Sequence, residues 1–228
     1  MTTSSLIDHL LNNHGNITAS DADNTARRAR YLQFSQEAFD WIWNSGDYTF
    51  TYITATVTIN ANSDSGDLPA DFMEFGVMGG IFDNSTLGQM QELTPVRAYA
   101  DVIAGVAGNN RDQISLYGMN TSTARLTLKL PGNAGSTTTI KILYRAMPPT
   151  LADSATVATS NLYRIPLAYH NTTITPLAVS KALESLGDAR AEIFRAEAGA
   201  GLKLLQARER ARKTTPQRLP FASSLSQI

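Results

Sequence analysis

The chain has 228 residues, 43% of them hydrophobic and 17% charged, where soluble proteins carry roughly 25% charged residues. That apolar content supports a packed core and excludes wholesale disorder, and the length suits one large domain or a core with a sizeable insertion. Cysteine is absent, which excludes disulfides and thiolate metal sites.

The net charge of −1 conceals an asymmetry: from Gly201 onward six basic residues (Lys203, Arg208, Arg210, Arg212, Lys213, Arg218) face one acid, Glu209. A basic end binds nucleic acid or an acidic protein surface, although cations in a last helical turn also complement the helix dipole. Elsewhere Ser, Thr and Asn take the place of charges. Neutral hydroxyls and amides cost less to desolvate than ions, so such a surface tolerates burial against neighbours, as an assembly subunit requires; a secreted β-protein is the alternative. The N-terminal Met1-Thr2-Thr3-Ser4-Ser5-Leu6 lacks the regions of a signal peptide, and no apolar run is long enough for a bilayer. The expectation is a soluble protein made in a cytoplasm. In that setting the Asn-x-Ser/Thr triplets at Asn16, Asn84, Asn120 and Asn171 are the chance yield of an Asn- and Thr-rich chain.

Leu6, Ile7, Leu10 and Leu11 recur at helical spacing, with Ser5 and Asp8 in the form of a capping box and Gly15 as the stop. Ser20, Asp21 and Asp23 announce a second helix. Its stripe of Ala26, Tyr31, Phe34, Ala38, Trp41 and Ile42 runs to about Asn44, where Ser45-Gly46-Asp47 breaks it. Arg27, Arg28 and Arg30 crowd the start of this helix, where the dipole disfavours cations; an exposed face explains them, or else a partner.

Tyr48 to Ile59 alternates and is dense in Thr, Tyr, Ile and Val, as a strand requires. Asn60 to Asp67 is a turn cluster. Phe72 to Phe82 reads as a strand with bulges at Gly76, Gly79 and Gly80. Thr94 and Pro95 read as the N-cap and first residue of a helix to Val106. Strands are expected at Gln113–Tyr117, Ala124–Leu130 and Thr138–Tyr144, with Gly132-Asn133-Ala134-Gly135 joining the last two as a hairpin. Met147-Pro148-Pro149 closes the β region. Pro166 opens a third helix that Pro176 interrupts. Leu177, Leu183 and Leu186 continue it to Gly187, and Asp188 caps a fourth with the stripe Ala191, Phe194, Ala198, Leu202, Leu205. Thr214-Thr215-Pro216 ends the ordered pattern.

No catalytic constellation is present. His9 and His14 miss the i, i+4 spacing of helical metal ligands, and His170 is expected to hydrogen-bond locally. Gly132-Asn-Ala-Gly-Ser-Thr lacks the lysine and spacing of a phosphate loop. Asp64, Asp67, Asp71 and Glu74 do not follow a calcium-loop spacing and read as solvated turn residues. Trp41 and Trp43 read as core or interface anchors. No catalytic, cofactor-binding or metal residue is assigned. The fold class is α+β: a helical hairpin core (1–46 and 151–213), an inserted antiparallel β-rich subdomain (47–150) and an extended C-terminal arm (214–228).

Four passages in fixed order carry a resemblance. Arg27 to Trp43 has a basic start, Tyr-Leu, then a Trp-rich end. Leu68-Pro69-Ala70-Asp71-Phe72 precedes a strand. Tyr144-Arg-Ala-Met-Pro-Pro-Thr-Leu151 leaves the β region. Ile165-Pro166, Tyr169-His170, Ala182-Leu183, Gly187-Asp188 and Ala191 mark a closing hairpin. Over about residues 20 to 205 the chain resembles the head-to-tail adaptors of tailed bacteriophages, particularly the larger adaptors of short-tailed phages related to tail tubular protein A. It departs from them in having Ser-Gly-Asp before Leu68 and a charge-poor stretch from Gly118 to Ala124.

The resemblance implies a structural virion protein, made in the host cytoplasm, that forms a homo-oligomeric ring, expected to be a 12-mer, under the portal protein. DNA would pass non-specifically through its channel during ejection, with tail proteins (nozzle or tail tube) below and no membrane involved. C-terminal segments of such proteins reach onto the portal. Here Arg210, Arg212, Lys213 and Arg218 supply charge, and Leu219, Pro220, Phe221, Leu225 and Ile228 supply apolar anchors on a polar string. The alternative is another phage tail structural or host-binding protein, which calls for exposed aromatics and a trimeric fibre pattern; a tail hydrolase calls for paired acids in a cleft.

Overall fold

A computed structural model describes residues 1–14, 24–75, 80–83, 91–92, 94–95, 113–129 and 135–214. The chain is α+β and divides into two compact units, one of residues 1–49 with 150–228 and one of residues 50–149.

The first unit is helical. Helix α1 (Thr3–His14) buries Leu6, Ile7, Leu10 and Leu11 completely or nearly so, and full burial of such a side chain is worth about 1.5–3 kcal/mol. Its capping box is Thr2 with Ser5, three residues before the Ser5–Asp8 pair expected from the sequence. The Ser5 N–H donates to Thr2 Oγ1 at 3.2 Å and the Thr2 N–H to Ser5 Oγ at 2.9 Å. Asp8 instead pairs with Arg28. Helix α2 (Asn24–Asn44) buries Tyr31, Ala38, Phe39, Ile42 and Trp43, with Phe39 stacked on Trp43 at 5.4 Å. Gly15 and the expected Ser20–Asp23 start signal lie outside the described residues.

After the β unit a short helix α3 (Val157–Ser160) ends on Asn161 in the left-handed conformation. Pro166 leads into a single 3₁₀ turn, Leu167–Tyr169, not the expected long helix. A π-turn, His170–Ile174, follows, and helix α4 (Thr175–Glu184) begins only then. Pro176 therefore lies in the first turn of α4, and its missing N–H falls at the junction of the π-turn with that helix. Eight of the ten residues of α4 are buried, from Thr175 through Ser180 with Ala182 and Leu183. It is the central helix, packed by α1, α2 and the final helix α5 (Ala191–Thr214). Gly187, at φ +69°, makes the stop after α4. Asp188 caps α5 by accepting the Arg190 N–H at 2.9 Å.

The second unit holds two sheets. In the first, β1 (Tyr52–Ile59) and β9 (Thr138–Ala146) pair antiparallel along eight residues, Tyr52 opposite Arg145 and Ile59 opposite Thr138. The other side of β9 receives β3 (Phe72–Glu74) and β4 (Gly80–Asp83), and β4 carries β5 (Gln91–Glu92). The single strand expected from Phe72 to Phe82 is thus two pieces, with a register shift between Phe72 and Glu74; Gly76 and Gly79 lie outside the described residues. The second sheet runs β2 (Ser65–Asp67), β8 (Arg125–Lys129), β7 (Gln113–Asn120), β6 (Thr94–Pro95).

Three expectations are corrected here. The end of the supposed turn cluster is strand β2, which crosses so close to β1 that a Cβ on Gly66 would meet Thr58 O at 2.8 Å. Thr94 and Pro95 pair parallel with Gln113 and Ile114, so no helix opens at Pro95; residues 96–106 lie outside the described residues. Strands β8 and β9 belong to different sheets, and the hairpin is β7–β8, turned by residues 121–124 with Ala124 left-handed. Glycine density at 132–135 marked a connection, but pairing follows the apolar faces: Leu128 packs with β2 and β7, Ile140 and Ile142 with β1 and β4.

Candidate functional site

Of the residues assigned to a partner-binding arm, Arg210 and Arg212 are exposed on the last turns of α5, and the Lys213 backbone continues the same helix. Arg218, Leu219, Pro220, Phe221, Leu225 and Ile228 lie outside the described residues. Among the described residues, the structure brings the basic ones onto a helical stalk that runs unbroken for 24 residues to Thr214.

The stalk is fixed by a residue that the sequence reading passed over. Glu209 is 4% exposed. Its Oε2 accepts the backbone N–H and the hydroxyl of Thr49, both at 2.8 Å, and its Oε1 accepts from Arg212 at 3.0 Å. One turn earlier, Gln206 donates to Ser45 O at 3.3 Å, and Arg208 lies over the Tyr169 ring at 5.7 Å. The signal was in the spacing: Glu209 continues the buried stripe of Leu202 and Leu205.

Farther up α5, Gly201 faces the π-turn so closely that a Cβ there would collide with Thr172 O and come within 2.5 Å of Thr173 Oγ1. Thr172 O is also the carbonyl to which Pro176, four residues on, cannot donate.

Of the N-terminal cations of α2, Arg28 serves the fold, while Arg30 is exposed. Arg28 donates to both carboxylate oxygens of Asp153 at 2.8 and 2.9 Å, to Ser4 Oγ at 3.0 Å, and to Asp8. It ties α1, α2 and the chain entering α3 together. The guanidinium holds the Asp153 carboxyl below the usual carboxylate range, and the two carboxylates raise the Arg28 pKa.

The acids that the sequence placed in solvated turns each have a partner: Asp64 with Lys129 at 2.9 Å, Asp67 with Asn120 at 2.9 Å, Asp71 with the Tyr144 hydroxyl at 2.7 Å, and Glu74 with Arg145 at 2.8 Å. Among the described residues no group of three or more His, Asp or Glu side chains is placed to hold a metal ion. His170 is 2% exposed; its Nε2 lies 2.7 Å from Ile165 O, and burial pushes its pKa down. This is the local hydrogen bond expected of it.

The described residues include two open clefts of several hundred cubic ångströms. One, about 490 Å³, is bordered by His9, Ser5, Pro176, Phe194 and Glu197. Ser5 Oγ is occupied there, donating to Thr2 O at 2.8 Å. The other, about 610 Å³ in the β unit, is lined by hydroxyls and amides, with Asp67 as its ionisable group. Neither assembles a nucleophile with a base to activate it. Among the described residues no helix is long and apolar enough to cross a membrane.

What the geometry offers is contact surface and a stalk ending in cations. Comparison with curated protein sequences gives no match. The family model described as SU10 adaptor protein matches residues 1–220, nearly the whole chain, and the protein therefore belongs to the SU10 adaptor protein family, a family of phage head-to-tail adaptors.

Proposed function

We propose that this protein closes into a ring, expected to be of twelve copies, between the portal of the capsid and the proteins of the tail. DNA passes through its channel without sequence recognition, and the protein works as a structural virion component without catalysis. The observation that carries this reading is the family match over residues 1–220. The stalk supports it, because α5 ends at Thr214 with Arg208, Arg210 and Arg212 exposed.

Beyond the stalk, the arm from residue 214 to 228 is the portal-binding element. Arg210, Arg212, Lys213 and Arg218 steer it, while Leu219, Pro220, Phe221, Leu225 and Ile228 anchor it. An extended segment of this kind loses entropy on docking but covers a large surface. The test is mass photometry with negative-stain imaging of the protein mixed with its portal. A closed ring on each portal is expected, and one or two bound copies per portal would refute the reading.

A further inference from the structure

Helix α5 has two apolar faces. Ala191, Ala198, Leu202 and Leu205 are buried against the core. On the opposite side Ile193, Ala196, Ala200, Leu204 and Ala207 recur at three- and four-residue spacing and are all exposed, Ile193 at 67% and Leu204 at 48%. A helix at the surface of a lone globule carries polar residues there. Helix α2, on another side of the central helix α4, also has an outward face, with Gln33, Glu37, Asp40, Trp41 and Asn44 exposed or half-exposed. Trp41 is 45% exposed, although a tryptophan is among the costliest side chains to leave in water.

The two faces complement each other in charge. The second half of α5 exposes Lys203, Arg208, Arg210 and Arg212, while its acid, Glu209, is turned inward. The second half of α2 carries Glu37 and Asp40 and no cation from Tyr31 to Asn44, with Lys181 of α4 3.8 Å from Glu37 as the cation of its own chain that faces them. Because α4 packs against both helices and is buried nearly all round, the side chains opposite it on α2 and α5 look outward on different sides of the unit. Two unlike, complementary faces on different sides of one body make the heterologous contact from which rings are built.

We propose that the outward face of α5 docks on the outward face of α2 of a second copy, with Ile193 and Leu204 covering Trp41 and the basic half of α5 meeting Glu37 and Asp40. This rests on the ring reading and names the surfaces that would close it. Aromatic and aliphatic anchors supply the burial, and the charges set which faces meet and in which direction.

Because the chain has no cysteine, single engineered thiols report contact directly. Ala207→Cys is combined in one chain with Gln33→Cys or with Asn44→Cys, which bracket Trp41, and the full chain with its portal is treated with a short bismaleimide. All three positions are exposed, so the variants keep the fold, which melting curves verify. A ladder of dimers, trimers and larger species is expected from a double-cysteine chain and none from Ala207→Cys alone. Dimers from Ala207→Cys alone would mean that α5 meets α5, and would overturn the proposal. No ladder from either pair, where mass photometry shows complete rings, would overturn these faces and leave the ring standing. Absence of rings with the unmodified chain would remove both.

Discussion

Glu209, near the end of the last helix, holds Thr49, the residue at which the chain leaves the helical unit, through two hydrogen bonds of 2.8 Å to one carboxylate oxygen. The last turns of the stalk are thus fixed to residues more than 150 positions earlier in sequence. Glu209→Ala leaves the Thr49 N–H and hydroxyl without their acceptor. Hydrogen bonds to a charged group contribute about 1.5–3 kcal/mol, and a loss of that size is expected in urea unfolding. Glu209→Gln keeps an acceptor and should lose less. A variant Glu209→Ala as stable as the parent would show that Thr49 finds water at no cost.

Two glycines on α5 give a matched pair. Alanine is favoured over glycine in a helix interior by about 1 kcal/mol. Gly199 has nothing within 4 Å of an added Cβ, so Gly199→Ala should gain about that amount. Gly201 lies against Thr172 and Thr173, and overpacking costs about 1–3 kcal/mol; Gly201→Ala should therefore lower the melting temperature while Gly199→Ala raises it. Equal shifts in the same direction would mean that the π-turn yields freely to α5.

Much of this architecture was legible because periodicity reports burial. The stripes Leu6–Leu11 and Ala191–Leu205 predicted the helices that bury them, and alternation from Tyr48 to Ile59 predicted β1, although Thr49–Thr51 form a 3₁₀ turn and the strand begins only at Tyr52. Sheet membership was not legible. The glycines at 132–135 suggested a hairpin between β8 and β9, but only the facing apolar sets decide that β9 joins β1 and β4 while β8 joins β2 and β7. The Leu68–Phe72 and Tyr144–Leu151 passages carried the resemblance as separate strings. In three dimensions they meet: the Tyr144 hydroxyl donates to Asp71, the Met147 N–H donates to Asp71 O at 2.7 Å, and Phe72 pairs with Ala146. Long-range partners of this kind leave no local signature, which is why Asp71 read as a solvated turn acid and Glu209 as one acid in a basic run.

His170 makes stability pH-dependent with a definite sign. Burial depresses its pKa in the folded chain, whereas an unfolded histidine titrates near 6.5. Below that pH the unfolded chain gains a proton that the folded chain resists, so stability is complete above about pH 7 and falls as the pH drops through the unfolded value. The depressed carboxyls of Asp64 and Asp153 act in a lower window, since their stabilisation is lost only below about pH 4. Melting temperatures from pH 7.5 to 5 should decline in the parent and decline less in His170→Gln. An identical slope in both would assign the effect elsewhere.

The arm is tested by removing it. Pro216 and Pro220 forbid a regular helix beyond Thr214, and the family match itself ends at residue 220. Glu209, Gln206 and Gly201, which fix α5 to the rest of the helical unit, all precede the arm. Deleting residues 215–228 should therefore leave the melting temperature nearly unchanged. Portal binding should fall sharply, because Leu219, Phe221 and Leu225 would each forfeit about 1.5–3 kcal/mol of burial if fully docked. Replacing Arg208, Arg210, Arg212 and Lys213 together by glutamine should act differently: binding through the apolar anchors persists, and its dependence on salt is reduced. Thermal melting and portal pull-down across a salt series separate the two contributions. A truncated chain that unfolds, or that captures portal as well as the full chain does, would end the assignment of residues 214–228 as the docking arm.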